Sequence, residues 1–284
     1  MTARPLDGRP IAARLRESLA ARCAALLTAT GRPPGLGIVE FDKGGPSAVY
    51  ADSVVRAARR VGIEPVRIEA GPEASLAELS GQIGALNGNP QVAGIVVAEP
   101  VPSSLGEWAV VDLIDPAKDV DGATSVNAGR LMRGEPTLVP ATALAVMEML
   151  RTYDVPVSGR RVVVVGRSMV IGRPVAALLL AADATVVICH RQTSDLAAET
   201  RRAEILVVAA GAPGLITPDM VSPECVVVDC GITTVGDRVV GDVAPEVTEV
   251  ARAVSPVPGG VGPVTSMMLA SQTLDVAERL APSS

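Results

Sequence analysis

The feature that most constrains the fold is the segment "VVVVGRSMVIGRP" at residues 162–174, in which four valines lead directly into a glycine loop. A continuous β-branched run is typical of a strand buried on both faces of a parallel sheet. Gly166 permits a tight turn, and Gly172 and Pro174 begin a helix whose amino end attracts phosphate. The glycine spacing differs from G-x-G-x-x-G, so a turn that binds no ligand is the alternative interpretation.

The rest of the chain repeats the order of strand, loop and helix. Strands are predicted at 35–41, 64–70, 92–99, 161–165, 184–189, 204–210 and 225–230, and helices at 9–29, 46–61, 74–87, 140–155 and 262–280. Strands that alternate with helices form parallel sheets covered on both faces, so we expect an α/β fold. Residues 115–139, rich in Gly, Pro and polar residues, are expected to be irregular.

The length of the chain and this alternation predict two α/β domains. Residues 1–139 together with 263–284 are assigned to an N-terminal parallel-sheet domain, and residues 140–262 to a Rossmann-like domain. The final helix is expected to return to the first domain.

Charge and composition exclude several other classes of protein. Hydrophobic residues make up 48 % of the chain, which is enough for a large core, and the net charge of −6 argues against nucleic acid or an acidic membrane as partner. No apolar run reaches the ~18–20 residues of a membrane span, and the first residues lack the core of a secretory signal, so a cytoplasmic location is expected. With a single histidine and no C-x-x-C pair, no metal site is expected.

The end of the strand at 184–189 indicates which dinucleotide the loop would take. An NAD site usually carries an acid there to bind the ribose hydroxyls, but this strand continues into His190 and Arg191. Together with Arg167 in the glycine loop, Arg191 could flank a 2′-phosphate, for which guanidinium geometry is well suited. This favours NADP, and the alternative for either arginine alone is a solvated surface charge.

Five segments give the chain a close resemblance to one family: "KDVDG" (118–122), "VNAGRL" (126–131), "GRSMVIGRP" (166–174), "VGDV" (240–243) and "SPVPGGVGPVT" (255–265). Nearly from end to end, the chain resembles the bifunctional methylenetetrahydrofolate dehydrogenase/methenyltetrahydrofolate cyclohydrolase family. The resemblance implies a folate-binding catalytic domain, a Rossmann-like NADP-binding domain, a tetrahydrofolate derivative as substrate and a homodimer.

The resemblance also implies roles for individual residues. The pterin ring of a folate would lie in a cleft against Tyr50, while Asp121 would hold the amino edge of the pterin. Elementary chemistry agrees, since an aromatic face stacks on a flat heterocycle and a carboxylate accepts a pair of N–H bonds. From the residues alone, a core tyrosine and a turn aspartate before Gly122 are the alternatives.

Further contacts follow from the same resemblance. The implied substrate contacts in the last signature segment are Pro258, Gly259 and Gly260. The implied cofactor contacts are Gly166, Arg167, Ser168, Gly172, Arg173, Pro174, His190, Arg191, Thr142, Gly211, Ile232 and Thr265.

The chain departs from the family pattern at two positions that act together in the family. The lysine of Y-x-x-x-K, which serves acid/base chemistry on folate and water, is Val54, and the glutamine that orients it is Ala98. Arg56 points away from Tyr50 on a helix and is a poor base. Ser53 has no evident activating partner. Glu99 is a candidate catalytic replacement, although alternation along a strand can turn it away from the position of Ala98.

A smaller departure lies in the segment that reads "PATA" (140–143) where the family has P-C-T-P, because the cysteine and the second proline are missing. This weakens the expected geometry near the cofactor without removing evident chemistry.

We therefore expect NADP-dependent oxidation of 5,10-methylenetetrahydrofolate to 5,10-methenyltetrahydrofolate, with weak or lost cyclohydrolase activity. Hydride transfer depends mainly on positioning, whereas ring opening by water needs a general acid/base that valine cannot supply. The alternatives are a diverged paralogue that acts on another folate adduct or a specialised metabolite, and a catalytically silent protein that binds NADP or folate.

Overall fold

The computed structural model describes residues 2–135, 137–236 and 238–281. The helices and strands found there are β1 (Arg4–Pro5), α1 (Gly8–Thr30), β2 (Gly35–Glu40), α2 (Pro46–Val61), β3 (Glu64–Glu69), α3 (Leu76–Gly88), β4 (Val92–Val97), α4 (Glu107–Val111), α5 (Ser125–Met132), α6 (Ala141–Thr152), β5 (Arg161–Val165), α7 (Gly172–Ala181), β6 (Thr185–Cys189), α8 (Leu196–Thr200), β7 (Ile205–Val208), β8 (Val226–Asp229), β9 (Thr233–Val235), β10 (Arg238–Val240), β11 (Ala253–Val254) and α9 (Val261–Leu280). Short 3₁₀ helices occur at Pro218–Met220 and Pro245–Glu249.

The chain divides into two compact units, and each contains a parallel sheet. Ala13–Ala141 and Ser266–Ser284 form what we call the three-strand unit, and Met1–Ala12 and Thr142–Thr265 form the six-strand unit. The predicted two-domain α/β fold is confirmed. Which unit binds which ligand stays a prediction at this point.

The sheet of the three-strand unit has the order β3-β2-β4, with both pairings parallel. Every residue of β2 and β4 is buried, which explains why both sequences are apolar apart from Glu40 at the end of β2. β3 lies at an edge and is mostly exposed, which explains its polar sequence "EPVRIE". The core beside this sheet is aliphatic apart from one phenylalanine, Phe41.

The sheet of the six-strand unit has the order β1-β11-β8-β7-β5-β6, and all its pairings are parallel. The strands predicted at 161–165, 184–189, 204–210 and 225–230 form its centre and one edge. The two-residue strands β1 and β11 were not predicted, because two residues carry no readable periodicity. A separate antiparallel hairpin joins β9 to β10.

The last helix returns to the first domain, as predicted, and binds its first helix, α1. Arg22 of α1 donates hydrogen bonds to Asp275 at 2.6 Å and to Glu278 at 2.8 Å on α9. The buried amide of Gln272 binds the backbone of residues 120 and 139 on the same unit. Residues of α9 therefore stabilise the segment that carries "KDVDG".

The prediction that residues 115–139 are irregular is wrong in part, because they contain α5. The hydroxyl of Thr124 accepts a hydrogen bond from the backbone N–H of Asn127 at 3.3 Å and caps the helix. A helix of eight residues is short enough for capping and tertiary contacts to determine it, with little contribution from periodicity. Among the described helices, none is both long and apolar enough to span a bilayer.

Gly122 closes the turn of "KDVDG" in a conformation that favours glycine. Its φ is +57°, and a Cβ added there would lie 2.6 Å from the backbone of Val139. The chain can therefore approach Val139 only where residue 122 has no side chain.

We predict that Gly122→Ala lowers the free energy of unfolding by more than about 2 kcal/mol, because the left-handed backbone and the contact with Val139 both penalise a side chain. Urea denaturation measures the change. Gly129→Ala is the matched control, since Gly129 lies within α5 with open space around it and alanine favours a helix. Equal stability of the Gly122→Ala variant and the wild type would contradict this account of the turn.

Candidate active site

The helix that carries Tyr50 is fixed at its amino end by an aspartate. The carboxylate of Asp42 accepts hydrogen bonds from the backbone N–H groups of Ser47, at 3.2 Å, and Ala48, at 2.8 Å. Pro46 occupies the first turn of α2, where a missing N–H costs nothing. These contacts determine where α2 begins and hence where Tyr50 lies.

A buried serine joins the same helix to the end of β4. The hydroxyl of Ser47 donates to the carbonyl oxygen of Ala98 at 2.8 Å and accepts from the N–H of Phe41 at 3.2 Å. Ser47 is fully buried. The helix with Tyr50 and the strand end with Ala98 and Glu99 are therefore held together.

Tyr50 is not a core tyrosine, since its side chain is 37 % exposed. The surrounding protein nevertheless raises the pKa of its hydroxyl, and the negative charges of Asp121 and Glu99 raise this pKa further. The two carboxylates are therefore close enough to Tyr50 to act on it. The structure thus brings together the three side chains proposed as catalytic.

The segment "KDVDG" has a separate function for each charged residue. The Lys118 ammonium group donates to the carbonyl oxygens of Asn87 and Asn89, both at 2.7 Å, and so caps the carboxyl end of α3. The buried carboxylate of Asp119 accepts from the N–H groups of Ala123 and Thr124 at 3.1 and 2.8 Å. These contacts fix the loop on both sides of Asp121.

Asp121 is the one member of this segment whose carboxylate is held by a single long hydrogen bond, from the N–H of Ala141 at 3.2 Å. Burial raises the pKa of Asp121 to about 7, against the effect of that hydrogen bond, and the charges of Asp119 and Glu99 add to the rise. A carboxyl group with a raised pKa and unused acceptor capacity is typical of a binding or catalytic site.

The two positions predicted to depart from the family pattern are apolar and buried in this structure. Val54 is 6 % exposed and Ala98 is fully buried. Arg56 and Ser53 are both exposed, so neither takes the place of Val54 on the buried side of α2. Glu99 is exposed and Ala98 is buried, and both residues follow the end of β4.

In the six-strand unit, the predicted phosphate loop follows β5. Gly166 has φ +126°, and a Cβ there would lie 2.1 Å from the carbonyl oxygen of Ala209. A Cβ on Gly172 would lie 2.3 Å from the carbonyl oxygen of Gly166. Both glycines are therefore required by close backbone approach, which is the geometry of a loop that cradles phosphate.

Side chains of the same loop form hydrogen bonds with its backbone. The Ser168 hydroxyl accepts from the N–H of Ile171 at 3.1 Å, and the guanidinium of Arg173 donates to the carbonyl oxygen of Arg167 at 3.2 Å. Pro174 is buried in the first turn of α7. The loop is thus ordered around the amino end of that helix.

The arginines proposed to bind a 2′-phosphate follow neighbouring strands. β5 pairs with β6 in parallel, with Val165 opposite Cys189. Arg167 and Arg191 come two residues after those positions, so they lie at the same edge of the sheet, and both are exposed. His190 is half-buried, and its Nδ1 accepts from the N–H of Gln192 at 3.2 Å.

Two buried aspartates were missed by the sequence analysis, although one lies in the quoted "VGDV" segment. Asp242 accepts three hydrogen bonds, of 2.7 to 2.9 Å, from the N–H groups of residues 210–212. Asp229 accepts from Gly231, Asp242 and Val243, and burial raises its pKa to about 6. Together they order the loop that contains Gly211.

The remaining predicted residues of this unit occur at four places: the loop 258–260, the segment before β9, α6 and α9. Gly259 has φ +112°, and its carbonyl oxygen accepts from the N–H of Gly8 at 2.8 Å. Pro258 is exposed and Gly260 is buried. Ile232 is 69 % exposed before β9. The other two residues, Thr142 and Thr265, are half-buried on α6 and α9.

The fold and these two sites define a two-domain α/β protein of the dinucleotide-binding enzyme class. Family models agree, since residues 6–121 match the tetrahydrofolate dehydrogenase/cyclohydrolase catalytic domain and residues 140–281 match the NAD(P)-binding domain of the same enzymes. The chain belongs to the tetrahydrofolate dehydrogenase/cyclohydrolase family.

Individual relatives match over nearly the whole length. A bifunctional protein FolD from Bordetella avium is 47 % identical over 282 residues, which cover 98 % of this chain and 99 % of the relative. The Trypanosoma brucei N5,N10-methylenetetrahydrofolate dehydrogenase-cyclohydrolase, solved with NADP cofactor and an inhibitor, is 36 % identical, covers both chains fully and superposes with a TM-score of 0.95. The bifunctional FolD of Campylobacter jejuni is 35 % identical, covers 96 % of this chain and 98 % of its own, and superposes with a TM-score of 0.94.

We predict that the affinity for a tetrahydrofolate increases with pH through about 7, because only the ionised form of Asp121 can accept two N–H bonds at once. Isothermal titration calorimetry across this range measures the dissociation constant. Asp121→Asn should weaken binding and remove the pH dependence. A wild-type affinity that does not change across neutral pH would contradict the assignment.

The stability of the folded protein should decrease as pH rises, whereas the affinity for a tetrahydrofolate should increase. Because the folded protein holds the Asp121 proton more tightly than an unfolded chain does, this residue lowers stability progressively as pH rises from about 4 to about 7. We predict that Asp121→Asn raises the unfolding midpoint relative to wild type at about pH 8 and has little effect at about pH 4. Thermal unfolding at the two pH values measures the difference, and an Asp121→Asn variant less stable than wild type at the higher pH would refute it.

Proposed function

We propose that this chain oxidises 5,10-methylenetetrahydrofolate to 5,10-methenyltetrahydrofolate with NADP and has little or no cyclohydrolase activity. The observation that carries the proposal is the contrast within the three-strand unit. Tyr50 is partly exposed and Asp121 lies half-buried near it, whereas Val54 and Ala98 are apolar and buried. Residues that can bind a pterin are present, and the acid/base pair that would act on water is absent.

In this mechanism the protein mainly binds the folate and NADP and orients them for hydride transfer. Asp121 accepts the N–H groups of the pterin edge, and the ring of Tyr50 stacks on the flat heterocycle. Gly166, Gly172 and the amino end of α7 bind the pyrophosphate of the dinucleotide. Bound NADP supplies the hydride acceptor. Since hydride transfer needs alignment of two carbons and no protein base, it does not depend on a lysine at position 54.

Hydrolysis of the methenyl product, unlike hydride transfer, requires proton transfer. Water must lose a proton as it adds, and a ring nitrogen must gain one before the ring opens. A positioned general acid/base contributes about 10²–10⁴-fold to such a step. Because Val54 cannot transfer a proton, methenyltetrahydrofolate is expected to dissociate from the enzyme without being hydrolysed. Glu99, whose charge acts on Tyr50, stays a candidate for a proton-transfer role.

The first test supplies methenyltetrahydrofolate directly and compares hydrolysis with and without enzyme. Wild type should not accelerate it, while Val54→Lys combined with Ala98→Gln should hydrolyse at least about 10-fold faster than wild type. Val54→Met with Ala98→Gln is the matched control, because methionine has a similar length without an amine. Hydrolysis by wild type in proportion to enzyme concentration would refute the loss of cyclohydrolase activity.

The second test concerns the cofactor. We predict that Arg191→Ala raises the KM for NADP by about 10-fold to 100-fold and leaves the KM for NAD unchanged, because one charge-assisted contact to the 2′-phosphate is lost. Arg202→Ala, which removes an exposed arginine of the same unit, is the control. Equal effects on NADP and NAD would show that Arg191 does not recognise the 2′-phosphate.

A homodimer and a cytoplasmic location stay predictions from the family resemblance and the sequence.

A further inference from the structure

A charged network with one buried member, Glu40, joins the sheet to α2 and was not found by the sequence analysis. Glu40, the last residue of β2, has a side chain only 2 % exposed. Arg67 of β3 donates to it from Nε at 3.0 Å and from Nη2 at 2.7 Å. A buried carboxylate requires such pairing, and the guanidinium fork supplies it with fixed geometry.

The same guanidinium also reaches the helix. Nη1 of Arg67 donates to a carboxylate oxygen of Asp52 at 2.6 Å. Asp52 lies on α2, two residues after Tyr50. One planar side chain therefore joins two neighbouring strands to the helix that carries the pterin-stacking residue.

Strand register places this network near the site. Ile38 of β2 lies opposite both Arg67 of β3 and Val96 of β4. Since side chains alternate along a strand, Glu40 and Arg67 lie on the face of the sheet that also carries the side chain of Ala98. This is the face to which Ser47 and Asp52 of α2 are bound.

Tyr50 is thus flanked along the helix by two attachments to the sheet. Ser47, three residues earlier, binds the carbonyl oxygen of Ala98 beyond β4, and Asp52, two residues later, binds Arg67 on β3. The two attachments lie on opposite sides of β2, which is the middle strand. They restrict both rotation and sliding of the turn that presents Tyr50.

We propose that Glu40, Arg67 and Asp52 form a positioning network that orients the Tyr50 ring for the pterin of the folate. The inference rests on the proposed function, because it assumes that Tyr50 stacks on a tetrahydrofolate. Both ion pairs are weak sources of stability, because water screens the exposed Arg67–Asp52 pair and desolvation offsets much of the attraction between Arg67 and the buried Glu40. What the network can contribute is a fixed orientation of α2, and a stacking residue such as Tyr50 needs a fixed orientation to bind well.

The test removes the helix attachment and leaves the buried pair intact. Asp52→Ala should weaken binding of a stable tetrahydrofolate analogue by about 5-fold, measured by isothermal titration calorimetry, while the dissociation constant for NADP stays within about twofold. Asp52→Asn keeps an acceptor oxygen in place and should stay within about twofold of wild type for both ligands. Arg56→Ala, which removes an exposed charge of the same helix, is the matched control and should leave both constants unchanged.

A double-mutant cycle with Tyr50→Ala shows whether the effect acts through the ring. In the Tyr50→Ala background, Asp52→Ala should produce no further loss of affinity for the tetrahydrofolate analogue. An equal loss in both backgrounds would overturn the proposal, as would unchanged folate affinity of Asp52→Ala or an Asn variant as weak as the Ala variant. If wild type binds the analogue and Asp52→Ala has no effect, only this inference fails; if wild type binds no tetrahydrofolate, the proposed function fails with it.

Discussion

The hydrogen bond from Ser47 to the carbonyl oxygen of Ala98 is the contact on which the candidate site of the three-strand unit depends. It attaches the first turn of α2 to the end of β4, so that Tyr50 and Glu99 are presented at the same edge of the sheet. The carboxyl ends of parallel strands are the usual position of binding sites in open α/β sheets. Because Ser47 binds a backbone carbonyl oxygen, this contact does not depend on the chemistry of the side chain at position 98.

Buried carboxylates order the loops of both units. Asp119, at the start of a turn, accepts the backbone N–H groups of two residues that follow the turn, and Asp121 keeps spare acceptor capacity. Asp242 does the same for residues 210–212. A carboxylate that accepts several backbone N–H bonds can hold an irregular loop in one conformation without covering it with apolar side chains.

Much of this arrangement could be predicted from the sequence, and the rest could not for definite physical reasons. β2, β4 and β5 were predicted because strands buried on both faces of a parallel sheet are almost continuously apolar, and Gly166 because only glycine permits such close backbone contact. The short helix α5 was missed because a cap and tertiary contacts determine it. The pairing of Glu40 with Arg67 spans 27 residues and depends on strand register, which a single sequence does not reveal. The raised pKa of Asp121 is a property of its burial, which its neighbours in sequence do not show.

The central claim is that this family member keeps hydride transfer and has lost the water chemistry that follows it. The most direct measurement follows NADPH and methenyltetrahydrofolate together in one time course that starts from methylenetetrahydrofolate and NADP. The account predicts that one methenyltetrahydrofolate accumulates for each NADPH formed, and that it then decays at a rate independent of enzyme concentration. NADPH formed without accumulation of the methenyl product would contradict the loss of cyclohydrolase activity, and no NADPH at all would contradict the dehydrogenase.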